Sequence, residues 1–178
     1  MTELTSPIYC DTHCHLDMPA FIEDLDAALN RAALAGLEFI LIPSLDCATA
    51  ATALTLSRQH PGFVYTAVGI HPNYVAQVDP TCLQQLSSLI AQPGVVAIGE
   101  IGLDNYWDYA TSDQQKAILL PQLELASRLN LPAIIHNRDA ADELGPILLN
   151  WHASLPSDHP LKTRPGVLHS YTGPADLA

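Results

Sequence analysis

Two histidines separated by one residue, His13 and His15, stand in the segment DTHCHLD directly after an apolar run. Because side chains alternate along an extended strand, both imidazoles should point to one side and Cys14 to the other, where it would pack. Two imidazoles on one side can bind one metal ion, and Asp11 shares their parity and could orient one ring. Taken alone, the pair is weak evidence, since most such pairs are strand ends near water.

An acidic residue and two further histidines also follow apolar runs: Glu100, His136 and His169. A carboxylate in a buried strand must be paired or bind a metal, so Glu100 is either a salt-bridge partner inside the fold or a metal ligand. Its two oxygens could bridge two cations. The first histidine pair would hold one of them, and His136 and His169 would complete the other.

Two divalent ions at such a site would indicate hydrolysis. Metal ions about 3.5–4 Å apart polarise a phosphoryl or carbonyl oxygen and activate water, and Glu100 would then be both ligand and catalytic residue. The nitrogen-rich ligand set suits Zn or Mn better than Mg, and all three stay candidates.

Two more side chains near the strand ends are candidate catalytic residues. Arg138 has a planar guanidinium that suits a phosphate group, unless it is a surface arginine paired with Asp139 or Asp142. His71, which precedes a proline, could donate to a phosphate or protonate a leaving group, unless its role is structural.

The loop after Glu100 is rich in aromatic residues, namely Tyr106, Trp107 and Tyr109. Their rings could stack on nucleobases or simply cover the end of the fold. Asp104, in the same segment, could tie this loop down.

A repeating strand–helix rhythm positions these residues. Strands are predicted over residues 8–10, 39–43, 63–70, 95–100, 132–136 and 166–169. Helices are predicted over residues 21–35, 48–59, 80–91, 112–129 and 140–152, with a sixth beginning near residue 174. Ser112 and Gln115 would form a capping box at the start of the fourth helix.

Strand sequences such as FILI and VVAI are apolar at consecutive positions, which is typical of parallel strands buried on both faces. Alternating with helices, they predict an α/β fold. A doubly wound sheet would show a glycine-rich turn after the first strand, where this chain has DTHCHLD, so a TIM-type (β/α)8 barrel is favoured. Catalytic residues of such barrels lie at the C-terminal ends of the strands.

The length of 178 residues supplies about six of the eight βα units of such a barrel. We therefore expect a single, incomplete barrel domain over residues 1–178. Six strands do not close an eight-stranded barrel, and the exposed edges would invite self-association.

The net charge of −12 argues against a general nucleic-acid or membrane-surface binder, which needs basic patches. Bound divalent cations can supply local positive charge, so a nucleic-acid-processing enzyme stays open. No apolar run reaches the ~18 residues of a membrane span, and no export signal begins the chain, so we expect a cytoplasmic protein. The cysteines, which form no CxxC pair, are expected to be buried free thiols: Cys10, Cys14, Cys47 and Cys82.

The segments DTHCHLD, GIHP, GEIGLD, IHNR and HSYTG, in this order and spacing, resemble the TatD-type DNase family of metal-dependent hydrolases. The resemblance covers nearly the whole chain and implies an amidohydrolase-like β/α barrel, two divalent metal ions and 3'-5' exonuclease-like hydrolysis of DNA or another phosphodiester. By position it implies five metal ligands: His13, His15, Glu100, His136 and His169. The family has a further metal-binding aspartate beyond the position of Ala178, which Asp176 does not replace, so we expect a C-terminally truncated chain.

Two other functions stay open at this point. The order HxH, carboxylate, His, His is shared with amidohydrolase-like barrels that act on amide or lactone bonds, so the ligands alone do not select the substrate. The absent aspartate also allows a catalytically inactive, truncated barrel that serves as an interaction partner. The segments GEIGLD and HSYTG favour the DNase.

Overall fold

The structure is a computed structural model that describes residues 8–79, 81–171 and 175. Its strands form a parallel sheet in which each strand pairs with its neighbours in sequence. They are β1 Tyr9–Asp11, β2 Leu37–Pro43, β3 Val64–Val68, β4 Val95–Asp104, β5 Ala133–Arg138 and β6 Gly166–His169. The sheet curls into a half-barrel, which confirms the predicted TIM-barrel-type α/β fold.

Helices alternate with these strands. They are α1 Leu25–Leu34, α2 Cys47–Gln59, α3 Cys82–Ile90, α4 Ser112–Leu129 and α5 Ala141–Ser154. Short 3-10 turns occur at Pro19–Phe21, Pro72–Tyr74 and Pro160–Lys162. The helix predicted near residue 174 lies outside the described residues. None of the helices in the described ranges has the length and apolarity that crossing a membrane requires.

Two elements differ clearly from their predicted bounds. Helix α1 begins at Leu25 rather than residue 21, because the preceding segment Pro19–Phe21 forms a 3-10 turn. Strand β4 runs four residues past its predicted end, because Asp104 still pairs in register with Arg138 of β5. The extension carries the segment after Glu100 along the sheet as strand rather than loop.

The capping box of α4 lies one residue earlier than predicted. Thr111 Oγ1 accepts the backbone N–H of Gln114, and the Gln114 side chain accepts the backbone N–H of Thr111. Gln115 is instead buried, and its amide bonds the backbone N–H and the carbonyl oxygen of Asp104, both at 2.8 Å. Helix α4 is thereby tied to the end of β4.

The core has two layers, one on each face of the sheet. Alternate residues of the central strands form the larger layer with α4: Val68, Ile98, Ile135, Leu119 and Leu123. The residues between them face the inside of the half-barrel and form a smaller cluster: Ala67, Ala97 and Ile134. Apolar residues on both faces explain why the strand sequences show no alternation.

The cysteines differ from the sequence prediction of buried free thiols. Cys47 and Cys82, the first residues of α2 and α3, form a disulfide with a Cα–Cα distance of 5.8 Å. Cys10 and Cys14 are free, but Cys10 is exposed because β1 is an edge strand. The two bonded residues are 35 apart in sequence and carry no local signal, since the packing of α2 against α3 brings them together.

Candidate metal centre

The C-terminal ends of the strands surround a cleft of about 690 Å³. Seven side chains selected from the sequence line it: His13, His15, His71, Glu100, His136, Arg138 and His169. They come from five separate strand ends, as catalytic residues do in β/α barrels. The structure therefore brings the candidate residues together, while their individual roles stay predictions.

Glu100 lies at the centre of this group and is only 3% exposed. Its Oε2 is 3.3 Å from His13 Nε2, and its Oε1 is 2.9 Å from His136 Nδ1. Burial alone would raise the pKa of this carboxyl, but the hydrogen bonds from His13 and His136 hold it well below its usual range. The side chain is therefore an ionised carboxylate that reaches two histidines with different oxygens.

The first possible ligand group consists of His13, His15 and Glu100, whose ligand atoms lie within 4.8 Å of one another. The two histidines follow β1 rather than extend it, but their rings still lie on one side, with centroids 5.1 Å apart. Cys14 packs against the core, as predicted. Asp11 accepts the backbone N–H of His13 at 3.0 Å and so fixes the turn, and among the described residues no hydrogen bond joins it to a histidine ring.

The second possible ligand group consists of His71, Glu100 and His136. His71 Nε2 is 3.2 Å from His136 Nδ1 and 4.0 Å from Glu100 Oε1. Burial first, and then the neighbouring His136, lower the pKa of His71 to about 4, so this imidazole is neutral at pH 7. The sequence predicts His169, and not His71, as the neighbour of His136.

His169 instead stacks on His13, with ring centroids 3.5 Å apart and planes 10° from parallel. Burial and the adjacent His13 lower the pKa of His169, which favours the neutral form that a metal ion requires. The ring lines the same cleft as the two ligand groups.

Asp104 is a site residue to which the sequence analysis gave only a role in the loop. Its buried Oδ2 lies 3.0 Å from His136 Nε2 and accepts the amide of Asn73 at 3.1 Å. Burial opposes ionisation, but the backbone N–H of Trp107 and the contact with His136 lower the pKa of Asp104. Residues 100 and 104 have the same parity on β4, but the sequence predicted that strand to end at residue 100, so the pattern did not mark Asp104.

Asp17 is a second residue that the sequence analysis missed. Its side chain is fully buried, and its Oδ1 is 4.0 Å from His15 Nδ1. Burial raises the pKa of Asp17, although the charge of His15 opposes this. Within the described part of the chain, neither carboxylate oxygen has a hydrogen-bond partner, so Asp17 is available to orient His15.

The donor set fits divalent metal ions. Within the described ranges, the buried Nδ1 atoms of His13 and His15 have no hydrogen-bond partner, which is costly unless a ligand binds nearby. Both ligand groups share the ionised carboxylate of Glu100, and their remaining donors are imidazoles. Such nitrogen-rich sites suit transition metals such as Zn or Mn.

Arg138 stands at the rim of the cleft with its guanidinium over an aromatic ring. Its Cζ is 4.0 Å from the ring centroid of Tyr106 and 5.7 Å from that of Trp107. No ion pair of Arg138 with Asp139 or Asp142 exists among the described residues, so that alternative is not supported. The aromatic residues of this loop are exposed, and Tyr106 lines the cleft beside Arg138.

The sequence model of the TatD related DNase family matches residues 10–178. The chain belongs to this family. The resemblance noted in the sequence is thereby confirmed.

Individual TatD relatives agree with this assignment. The chain is 35% identical over 168 residues to an uncharacterized metal-dependent hydrolase, YabD, of Bacillus subtilis strain 168, covering 94% of this chain and 62% of the relative. It is 33% identical over 166 residues to a 3'-5' ssDNA/RNA exonuclease, TatD, of Yersinia pseudotuberculosis, covering 93% and 61%.

The solved structure of the TatD homologue YjjV from Escherichia coli K12 superposes with a TM-score of 0.83 at 35% identity. It covers 96% of this chain and 62% of the YjjV chain. The chain thus spans about three-fifths of the length of the TatD relatives that it matches.

Proposed function

We propose that this TatD-family chain is a two-metal hydrolase that cleaves phosphodiester bonds in DNA, with 3'-5' exonuclease-like action. The observation that carries the proposal is the convergence of four imidazoles on one buried carboxylate in a single cleft: His13, His15, His136 and His169 around Glu100. Arg138 at the rim of the same cleft adds a cation of the geometry that phosphate groups favour. A relative named as a 3'-5' ssDNA/RNA exonuclease supports this choice of substrate.

Five residues would hold two divalent ions, with Mg, Mn and Zn as candidates: His13, His15, Glu100, His136 and His169. When bound, such ions polarise a phosphoryl oxygen and activate water for attack. Glu100 would be the ligand that the two ions share, because its two oxygens already face different histidines.

Two further residues would act on the substrate directly. The His71 Nδ1 accepts the backbone N–H of Asn73 at 3.1 Å, so the neutral ring carries its proton on Nε2, which lies 3.2 Å from His136 Nδ1 beside the cleft. With His136 engaged by a metal ion, that N–H would be free to donate a hydrogen bond to a phosphate or leaving-group oxygen. Arg138 would bind a neighbouring phosphate and hold the strand in place.

The first test is the metal content of the full chain, purified without chelator and supplied with Mn or Zn, by elemental analysis. We expect about two ions per chain, and fewer for Glu100→Gln, because the shared ligand is lost. His60→Asn, which changes a histidine outside the cleft, is the matched control. A ratio near zero in folded wild-type protein contradicts the two-metal proposal.

The second test is substrate choice. The loaded protein should shorten a single-stranded oligonucleotide carrying a 5' label stepwise from its 3' end, and should leave a panel of lactones and amides intact. Hydrolysis of the panel without the oligonucleotide would favour an amidohydrolase-like enzyme. If the protein hydrolyses neither the oligonucleotide nor the panel, the catalytically inactive barrel is favoured.

We also propose that copies of this incomplete barrel domain associate through the edges of the sheet. Among the described residues, strands β1 and β6 have one sheet neighbour each, and Val167 on β6 is 55% exposed. An apolar cavity of about 580 Å³ lies over the inner face of the sheet and includes Phe39 and Leu41. Unpaired edges of this kind pair readily with another chain.

Light scattering tests this association. We expect a dimer or larger species, and Val167→Lys should shift it toward the monomer because a lysine at an edge opposes strand pairing. A wild-type monomer at all concentrations contradicts the proposal.

The cytoplasm is the proposed location, because a nucleic-acid substrate is available there. The disulfide between Cys47 and Cys82 is unusual for a reducing compartment. Fractionation of cells that express the chain tests the location. Alkylation of free thiols at lysis tests whether the disulfide exists in the cell. Recovery of the protein outside the cytoplasmic fraction would overturn this location.

A further inference from the structure

Three exposed aromatic side chains stand together just outside the candidate metal centre. Tyr106, Trp107 and Tyr109, here called the aromatic rim, are 54%, 43% and 51% exposed. The rings of Trp107 and Tyr109 lie 26° from parallel with centroids 5.7 Å apart, and Tyr106 meets Trp107 edge-on at 4.8 Å. Contiguous exposed aromatic surface of this kind marks a binding site more often than a chance arrangement.

Hydrogen bonds fix the backbone where the aromatic rim begins. Asp104 Oδ1 accepts the backbone N–H groups of Tyr106 and Trp107, both at 3.0 Å. The side chain of Asn105 donates to Glu143 Oε1 at 2.8 Å, which fixes the turn to α5. Because the backbone is already ordered, a ligand would meet preformed rings and lose little entropy on binding.

The aromatic rim is continuous with a cation at the cleft. Arg138 lies with its Cζ 4.0 Å from the Tyr106 centroid, and both residues line the cleft that contains Glu100 and His136. The guanidinium has no carboxylate partner within the described ranges, so its N–H groups are available. The site therefore offers a cation beside the cleft and aromatic faces farther out.

A nucleotide unit has the matching pair of features, an anionic phosphate and a flat base. We propose that the aromatic rim binds an unpaired nucleobase of a single strand by stacking, while Arg138 contacts the phosphate that adjoins it. This subsite rests on the proposed nuclease function and adds selection for single strands to it. Both faces of a base in a duplex are covered by its neighbours, so a duplex cannot occupy the rim without fraying. Every base has a π face, so the rim would tolerate any sequence.

Tryptophan fluorescence tests the contact without catalysis. The chain has two tryptophans, and Trp151→Phe leaves Trp107 as the sole reporter. With metal chelated, so that no strand is cut, an oligothymidylate of about ten nucleotides should quench this emission. An abasic strand of equal length should quench little and bind about tenfold more weakly, because it keeps the phosphates but lacks the stacking face. Equal quenching by both strands would mean that only phosphates bind, and would overturn the proposal.

Matched variants locate the contact. Tyr109→Ala should weaken oligothymidylate binding about fivefold or more, and Tyr109→Phe should restore it, because stacking requires only the ring. Leu120→Ala removes an exposed apolar side chain of α4 elsewhere and should leave binding unchanged. Unchanged binding in Tyr109→Ala contradicts the proposal.

Hydrolysis assays separate this failure from failure of the proposed function. If wild-type protein with metal cuts oligothymidylate but Tyr109→Ala cuts it equally well at low substrate concentration, the nuclease function stands and the rim proposal is overturned. If the metal-loaded wild type cuts no strand while the quenching is still selective for bases, the rim stands as a binding site and the nuclease function fails.

Discussion

Asp104 Oδ2 lies 3.0 Å from Nε2 of His136, so a buried carboxylate fixes the orientation of a candidate metal ligand. The other oxygen of the same carboxylate accepts the backbone N–H groups of Tyr106 and Trp107. A single side chain therefore connects the candidate metal centre to the aromatic rim. Changes at this residue can be designed to break one connection and keep the other.

Asp104→Asn is predicted to weaken metal binding while it preserves the rim. The remaining carbonyl oxygen can still accept the backbone N–H groups, but the new amide group cannot accept a hydrogen bond from His136. Loss of such an orienting partner lowers metal affinity about 10- to 100-fold. Calorimetric titration with Zn or Mn measures this change.

The control for this experiment is Asp108→Asn, which removes an exposed carboxylate from the same loop. It loses an equal charge and should leave the affinity unchanged. Equal weakening in both variants would mean that the effect comes from charge alone and not from the contact with His136.

The placement of the candidate ligands could be predicted from the sequence because these residues follow apolar strand sequences. Apolar runs end directly before Glu100, His136 and His169, and Asp11 and Thr12 separate the first run from His13. Parallel strands bring such ends to one edge of the sheet. The neighbours within the site could not be predicted in this way. His71 and His136 are 65 residues apart, and their contact depends on the register of three strands and on the turn that begins at Pro72.

The C-terminal bound of β4 could not be predicted from the sequence for a different reason. A strand of ten residues that contains two glycines and two carboxylates looks like a strand followed by a loop. It continues because Gln115 bonds the backbone of Asp104 and because residues 101–104 pair with β5, and neither contact can be seen in the sequence of the strand itself. The disulfide between Cys47 and Cys82 likewise depends on how α2 packs against α3.

Gly102→Ala is predicted to destabilise the fold strongly. Gly102 has a φ of +148°, and a Cβ there would lie 1.9 Å from the carbonyl oxygen of His136. The backbone of β4 or β5 must therefore move, which should cost about 3 kcal/mol in the free energy of unfolding. Urea denaturation measures the loss.

Gly145→Ala provides a contrasting case in the same experiment. Apart from its chain neighbours and its own helix backbone, a Cβ at Gly145 would have no atom within 4 Å, and the residue lies inside α5 before Pro146. The higher helix propensity of alanine and its crowding against the proline ring oppose each other, so the free energy of unfolding should change by less than about 1 kcal/mol. A loss of stability equal to that of Gly102→Ala would mean that the close approach at His136 is not the cause.

The thiols are predicted to differ widely in reactivity. Cys10 is exposed, whereas burial first and the charge of Asp11 second raise the pKa of Cys14 to about 12. Since the thiolate is the reactive form, iodoacetamide at pH 8 should label Cys10 quickly and Cys14 very slowly. Mass spectrometry should show two further labelled residues, Cys47 and Cys82, only after reduction. Four labelled cysteines in native protein without reductant would contradict the disulfide.

Glu143 is predicted to stabilise the packing of α5 against α4 in a way that is lost at low pH. Its carboxylate accepts hydrogen bonds from Lys116, Ser112 and Asn105, and so joins α5 to α4 and to the loop after β4. The Lys116 contact, followed by those of Ser112 and Asn105, lowers the pKa of Glu143 from 4.5 to about 2. Because the folded pKa lies below the unfolded one, the stabilisation is complete above about pH 5 and declines as the pH falls toward 2.

Glu143→Gln should therefore lower the Tm at pH 7 by about 1–3 °C, a small change because the group is partly solvated. The difference in Tm between variant and wild type should narrow as the pH falls from 5 to 3, since the unfolded wild-type chain then takes up a proton at Glu143 while the folded chain still keeps the carboxylate ionised. Glu124→Gln, which changes an exposed glutamate on α4, should give a difference that does not depend on pH in this range. A Glu143→Gln difference that stays constant down to pH 3 would mean that the carboxylate does not connect the two helices.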